Sequence, residues 1–150
     1  MGWSNRPTGL TRYQSSSAYR GYTLLSAYGG YDAYLIDMDG NFVHHWHSDE
    51  GIIDSFLLDN GNLLFRNRGS LLGDRVDPAT RPVAHVRELS WDGSPVWEHR
   101  NPGIRRHNRL TNGNTLLLVQ YPISSELTRE VRGGFVTSSD AERMQGDLVM

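Results

Sequence analysis

Apolar and polar residues alternate in short runs along this chain, and Asp-Gly or Asn-Gly pairs separate the runs. Alternation of that length is the pattern of a half-buried strand, and a DG or NG pair between two runs marks a hairpin. Four stretches carry it: YLIDMDGNFVHHW at 34–46, SFLLDNGNLLF at 55–65, VRELSWDGSPVWEHR at 86–100 and NRLTNGNTLLLV at 108–119. Their flanks are rich in Val, Ile, Leu, Tyr and Trp, as strands require. The DG and NG pairs are expected to form tight two-residue turns, where Asn, Asp and Gly accept the positive φ that such turns demand.

The stretches repeat one another. Asp39-Gly40 returns as Asp92-Gly93, Trp46 as Trp97, and Asn60-Gly61-Asn62 as Asn112-Gly113-Asn114, displacements of 53, 51 and 52 residues. Each unit therefore holds two hairpins, or four strands, in about fifty residues, the size of a β-propeller blade. A hairpin is predicted at 33–38 and 42–46, with GYTLLSAY (21–28) before it. One complete unit follows at 55–58, 62–66, 84–90 and 94–99. A further hairpin lies at 106–110 and 114–120, and GDLVM (146–150) opens another strand.

The pattern predicts an all-β fold of β-propeller blades, each of four antiparallel strands. About two to three blades are present, where a closed ring takes roughly four to eight, so the ring is expected to be incomplete. A sandwich is the alternative, but it demands no repeated sequence. The division expected is an N-terminal extension over 1–20 and a partial propeller over 21–150, with units around 21–54, 55–104 and 105–150. Two long polar stretches, 66–82 and 121–145, interrupt the pattern. The second predicts a short helix in SSELTREVRGG, with Ser124 or Ser125 as cap, Glu126 in the first turn and Gly133 after its end.

Composition narrows the chemistry. The net charge is -2 over 150 residues, against the basic surplus of a nucleic-acid binder. All fifteen basic residues are Arg, so a lysine nucleophile is excluded and an anion site must use guanidinium groups. Cysteine is absent, which excludes disulfides and thiolate metal sites. The first residues, MGWSNRPTGLTRYQ, lack the apolar segment of a secretory leader, and no run reaches bilayer length. A soluble, cytoplasmic protein without nucleic-acid or membrane partners is the expectation.

The wording of the repeat resembles a family. RPTGLTRYQSSSAYRGYTLLSAYGGYDAYLIDMDGNFVHHW, then LLDNGNLLF, ELSWDGSPVWEHRNP and RLTNGNTLLLV together resemble the bacterial arylsulfotransferase-like β-propellers, over roughly residues 6 to 135. The resemblance implies sulfuryl transfer from a phenolic sulfate ester to a phenol acceptor, without a nucleotide donor. It also implies a histidine that takes the group transiently and His, Arg, Lys and Asn side chains that hold the sulfate oxygens. Neutral imidazole is a good nucleophile near neutral pH, and guanidinium forks match tetrahedral oxyanions.

On this chain the resemblance places the catalytic role at His107 and substrate binding at Arg105, Asn108 and Arg109. Shorter family members carry a HHDF-like stretch before RLPNGNT; here it reads Ile104-Arg105-Arg106-His107, the Pro is Thr111, and the family's lysines have no counterpart. Strand alternation would put 105, 107 and 109 on one face and 106 on the other. The other reading is a non-catalytic propeller module that binds or assembles. The ring is expected to be completed by further blades of a longer protein, by a second copy of the chain or by a partner chain.

The remaining residues carry structural readings. His44, His45 and His47 surround Trp46; His45 and His47 share a side, but Asp49 and Glu50 are the only nearby acids, so surface positions are expected. Asp37, Asp39 and Asn41 look faintly like a calcium loop but lack its remaining ligands. Asp39, Asn60, Asp92 and Asn112 are read as turn formers, and Trp46, Trp91 and Trp97 as packing between blades. His85 receives no role. No phosphate loop, serine elbow or zinc motif is present, and neither a metal nor a cofactor is expected.

Overall fold

The computed structural model of the chain describes residues 10–67, 69, 83–131 and 144–150. The strands are β1 Thr23–Ser26, β2 Asp32–Ile36, β3 Phe42–His47, β4 Ile53–Leu57, β5 Leu63–Arg66, β6 His85–Leu89, β7 Pro95–Arg100, β8 Ile104–Arg109, β9 Thr115–Pro122 and β10 Gln145–Val149. Helix α1, Ser125–Glu130, follows β9 and precedes β10. The fold is all-β, as the alternation predicts. Its three antiparallel sheets have the orders β1-β2-β3, β4-β5-β6-β7 and β10-β9-β8. Within each sheet every strand is bonded to its neighbour in sequence, so the chain runs through three successive meanders.

The four runs read as one complete unit form the four-stranded sheet, and GDLVM pairs back onto β9. Helix α1 is capped by Ser124, whose hydroxyl accepts from the Leu127 N–H at 3.3 Å. Gly133, residues 1–9 of the N-terminal extension, nearly all of the 66–82 stretch and residues 132–143 of the second long stretch lie outside the described residues.

The hairpins turn on three residues, not two. In β2–β3 the Gly40 N–H donates to Asp37 O (3.2 Å) and the Asp37 N–H to Asn41 O (3.0 Å). The same two bonds recur from Leu58, Ser90 and Leu110. Each loop is thus an ordinary turn followed by one residue in the left-handed region, and that residue is always glycine: Gly40, Gly61, Gly93 and Gly113 have φ between 82° and 86°. Asn60, Asp92 and Asn112 do not supply the positive φ expected of them. Their side-chain oxygens instead accept the N–H of Asn62, Ser94 and Asn114 at 3.0 to 3.1 Å, tying the residue after the glycine back to the turn. In the first copy Asp37 performs this task, accepting from the backbone N–H of Asp39 and Asn41 and from Asn41 Nδ2. The calcium-like pattern is therefore a self-satisfied turn.

Each sheet also contains a bulge. Between β2 and β3 the pairs Ile36↔Phe42 and Leu35↔His44 leave Val43 as the extra residue. Between β8 and β9, Ile104↔Val119 and Arg106↔Leu118 leave Arg105 extra. Between β4 and β5 the slip lies between Ile53 and Phe56, around Asp54. Asp54 holds φ 48° there, the left-handed value that Asp tolerates better than most residues, and its carboxylate accepts from Arg66 Nη2 at 2.7 Å. Arg66 is 5% exposed, and the ion pair compensates part of its desolvation.

The chain divides into two compact units, Met1–Arg68 with Arg87–Trp97, and Gly69–Val86 with Glu98–Met150. The core of the first is Ala33, Leu35, Trp46, Ile52, Leu63, Phe65 and Leu89. Trp46 is fully buried, and its indole N–H donates to Ser90 O in the β6–β7 turn at 3.1 Å. Burial of a large apolar side chain stabilises by about 1.5–3 kcal/mol, and this bond satisfies the one polar atom that goes with it. Trp91 is only half covered; it meets Trp46 edge-on and stacks on His44 at 3.9 Å between centroids. In the second unit Ala84, Val86, Ile104, Leu117 and Val119 are buried. Among the described residues no helix is long and apolar enough to cross a membrane.

Two measurements test the turn. A Cβ on Gly113 would meet nothing within 4 Å, so Gly113→Ala perturbs only the backbone. It is expected to cost about 1–2 kcal/mol in urea unfolding, and Gly113→Asn less. Asp37 is held below the usual carboxylate range, first by the Asn41 side chain and then by the Asn41 N–H. A lowered folded value means that the turn gains stability above the unfolded carboxylate range and loses it as pH falls through the folded value. Carbon-detected NMR should find the Asp37 carboxyl titrating below a free aspartate in the native chain and close to one in Asn41→Ala.

Candidate functional site

Two groups of side chains come into question. The first is the β8 set singled out by the family resemblance. His107 lies opposite Leu117 and is 6% exposed. Directly opposed residues share a face, so His107 faces the buried side of this sheet with Leu117, Ile104 and Val119. Arg109 shares that face by alternation, but its Nη1 donates to Gly113 O at 2.9 Å. Asn108 points to the other face and is exposed.

Arg105 is the displaced member. Uninterrupted alternation would align it with His107 and Arg109, but it is the extra residue of the bulge, where alternation fails. It is exposed, and its guanidinium donates to the Gln120 side chain. The expected face of 105, 107 and 109 is therefore corrected: His107 and Arg109 remain together, Arg105 and Asn108 do not join them. The backbone fixes this locally. Gly103 accepts the Gln120 N–H at 2.8 Å, and a Cβ on Gly103 would stand 2.1 Å from Gln120 O.

The second group lies on the outer face of β2–β3. Across this pair Ala33 opposes Trp46 on the buried side, while Asp32 opposes His47 and Tyr34 opposes His45 on the exposed side. His44 belongs to the inner face, where its Nε2 bonds to Trp91 O at 2.6 Å. Asp32 Oδ1 lies 2.8 Å from both His45 Nε2 and His47 Nδ1. Asp49 Oδ1 lies 3.1 Å from His47 Nε2. An ionised carboxylate only accepts, so these two contacts suit the ring tautomers that present an N–H to Asp32. With a carboxylate beside each ring nitrogen, His47 is placed to donate from both, an arrangement that favours its protonated form.

The pKa directions agree. The side-chain bond from His45, then that from His47, holds Asp32 below the usual carboxylate range. Asp32, then Asp49, raises His47 above the ordinary histidine range. His45 stacks on Tyr34 with centroids 5.1 Å apart and planes 20° apart, which limits its rotation. The three donor atoms of Asp32, His45 and His47 lie within 4.8 Å of one another.

Spacing alone foretold that His45 and His47 share a side. It missed Asp32, which sits thirteen residues before His45 and reaches it only through the strand pairing. His85, without a role in the sequence, is fully buried in β6. No family model, curated protein or solved structure matches the chain.

Gly103 offers a direct test of the β8 geometry. Gly103→Ala is expected to cost about 1–3 kcal/mol by overpacking. It should also speed amide exchange along β8–β9 while β2–β3 keeps its protection; unchanged exchange at Gln120 would contradict the close approach.

Proposed function

We propose that the three meanders are consecutive β-propeller blades of the arylsulfotransferase-like kind, and that the chain works as a non-catalytic binding or assembly module. The observation that carries this reading is the wiring. A repeat of about fifty residues coincides with a four-stranded sheet of order β4-β5-β6-β7, the construction of a propeller blade. Flanking it in sequence are two further antiparallel meanders.

The module reading is supported by the fate of the β8 set. His107 is buried, Arg105 and Arg109 donate to internal acceptors, and Asn108 faces away. An oxyanion cradle needs several donors converging on one accessible point. Meanwhile β10 stands at the edge of its sheet with Leu148, Val149 and Met150 half exposed or more. An apolar edge strand favours pairing with a strand from another chain, a second copy or a partner blade.

Sulfuryl transfer is the second reading, favoured by the resemblance that includes RLTNGNTLLLV at 109–119 and by His107 and Arg109 sharing one face. The two separate in one experiment. Light scattering over a concentration series is expected to show self-association that Leu148→Lys with Val149→Lys weakens at least about tenfold. Incubation with p-nitrophenyl sulfate and a phenol is expected to release no p-nitrophenol. A monomer at all concentrations that turns over the ester, and loses this activity in His107→Gln, would establish the second reading instead.

A further inference from the structure

We propose that Asp32, His45 and His47 form a binding site for one divalent transition-metal ion of the Zn²⁺ class. This goes beyond the module reading and does not depend on it. The donors come from two paired strands, so the hydrogen-bond ladder fixes their spacing: Asp32 is directly across from His47, and His45 is one pleat away on the same face. Two imidazoles and one carboxylate are a donor set suited to zinc, nickel, copper or ferrous iron. Magnesium and calcium prefer oxygen alone.

The distances suit such an ion. Donors bonded at about 2.0–2.1 Å in a tetrahedral shell stand about 3.3 Å apart. Asp32 Oδ1 is 2.8 Å from each histidine nitrogen, so the group opens by about half an ångström to take the metal. The rotation needed is confined to exposed side chains, with His45 and His47 each about half exposed. Three protein ligands leave the remaining position to water on the solvent side.

The surroundings match a ligated histidine in a second respect. With the metal on Nδ1 of His47, its Nε2–H keeps Asp49 as acceptor, at 3.1 Å. A carboxylate behind a ligating imidazole fixes the ring and raises its basicity. Tyr34 holds the plane of His45 by stacking. The protons balance: the metal displaces the Nδ1 proton of His47 into solvent, and His45 moves its proton from Nε2 to Nδ1. A charge network alone would use the same contacts without the metal, and the test distinguishes the two.

The untagged full chain is titrated with ZnCl2 by calorimetry, with histidine ring signals followed by NMR. One Zn²⁺ per chain is expected, with the His45 and His47 ring signals shifting and that of His99 staying in place. His45→Gln or His47→Gln should weaken binding by more than about tenfold, and Asp49→Asn by about tenfold, as for a partner behind a ligating histidine. These positions are on an exposed face, and circular dichroism checks that each variant folds. Absence of saturable binding with Zn²⁺, Ni²⁺ and Cu²⁺ overturns the proposal, as does undiminished affinity in both histidine variants. Equal NMR shifts with Mg²⁺ would overturn the donor-set argument.

Discussion

A three-residue loop that ends in a left-handed glycine governs this chain. It occurs four times among the described residues, and each time it decides which residues of the following strand meet which residues of the preceding one. Only glycine takes that φ without steric cost, and the Asx side chain within the turn consumes the amide that the loop would otherwise leave open. Register in an antiparallel pair is unforgiving, because a slip of one residue exchanges the two faces. The loops set one phase next to the turn, and the bulges change it further along each strand.

The β2–β3 pair shows why the second adjustment is needed. Carried on from Ile36↔Phe42, the turn's register would place Asp32 opposite Trp46 and Ala33 opposite His45. A carboxylate would then share a face with the most deeply buried indole. Val43, as the odd residue, restores Ala33 to Trp46 and sends Asp32 to His47. The same step sorts the histidines. His44 goes inward to stack on Trp91, while His45 and His47 stay in water. At β4–β5 the adjustment costs backbone strain at Asp54, and the bond to Arg66 helps to offset it.

What the sequence disclosed follows from this physics. Alternation and turn residues are local, so the strands, their pairing as hairpins and a serine cap for α1 were legible, although Ser124 and Ser125 were not told apart. The reason for the recurrent Asn and Asp was misread: they bond to the loop, while glycine alone takes the left-handed conformation. Bulges were not legible. Nothing in FVHHW or IRRHNR marks Val43 or Arg105 as the residue to be skipped, since the choice depends on what packs across the sheet. Asp32 was missed for the same reason.

The two bulges act on chemistry in opposite directions. On β8, the skipped Arg105 leaves the face of His107 and binds Gln120, so a cluster that alternation would assemble is dispersed. On β3, the skipped Val43 brings two histidines onto the face of Asp32, so a cluster that spacing does not suggest is formed. Residue types alone favour β8, with its arginines beside a histidine. Geometry favours β3, where the donors converge and remain open to solvent. For chemistry that needs several side chains to meet at one point, convergence decides, and here a single unpaired residue in each strand determines where it occurs.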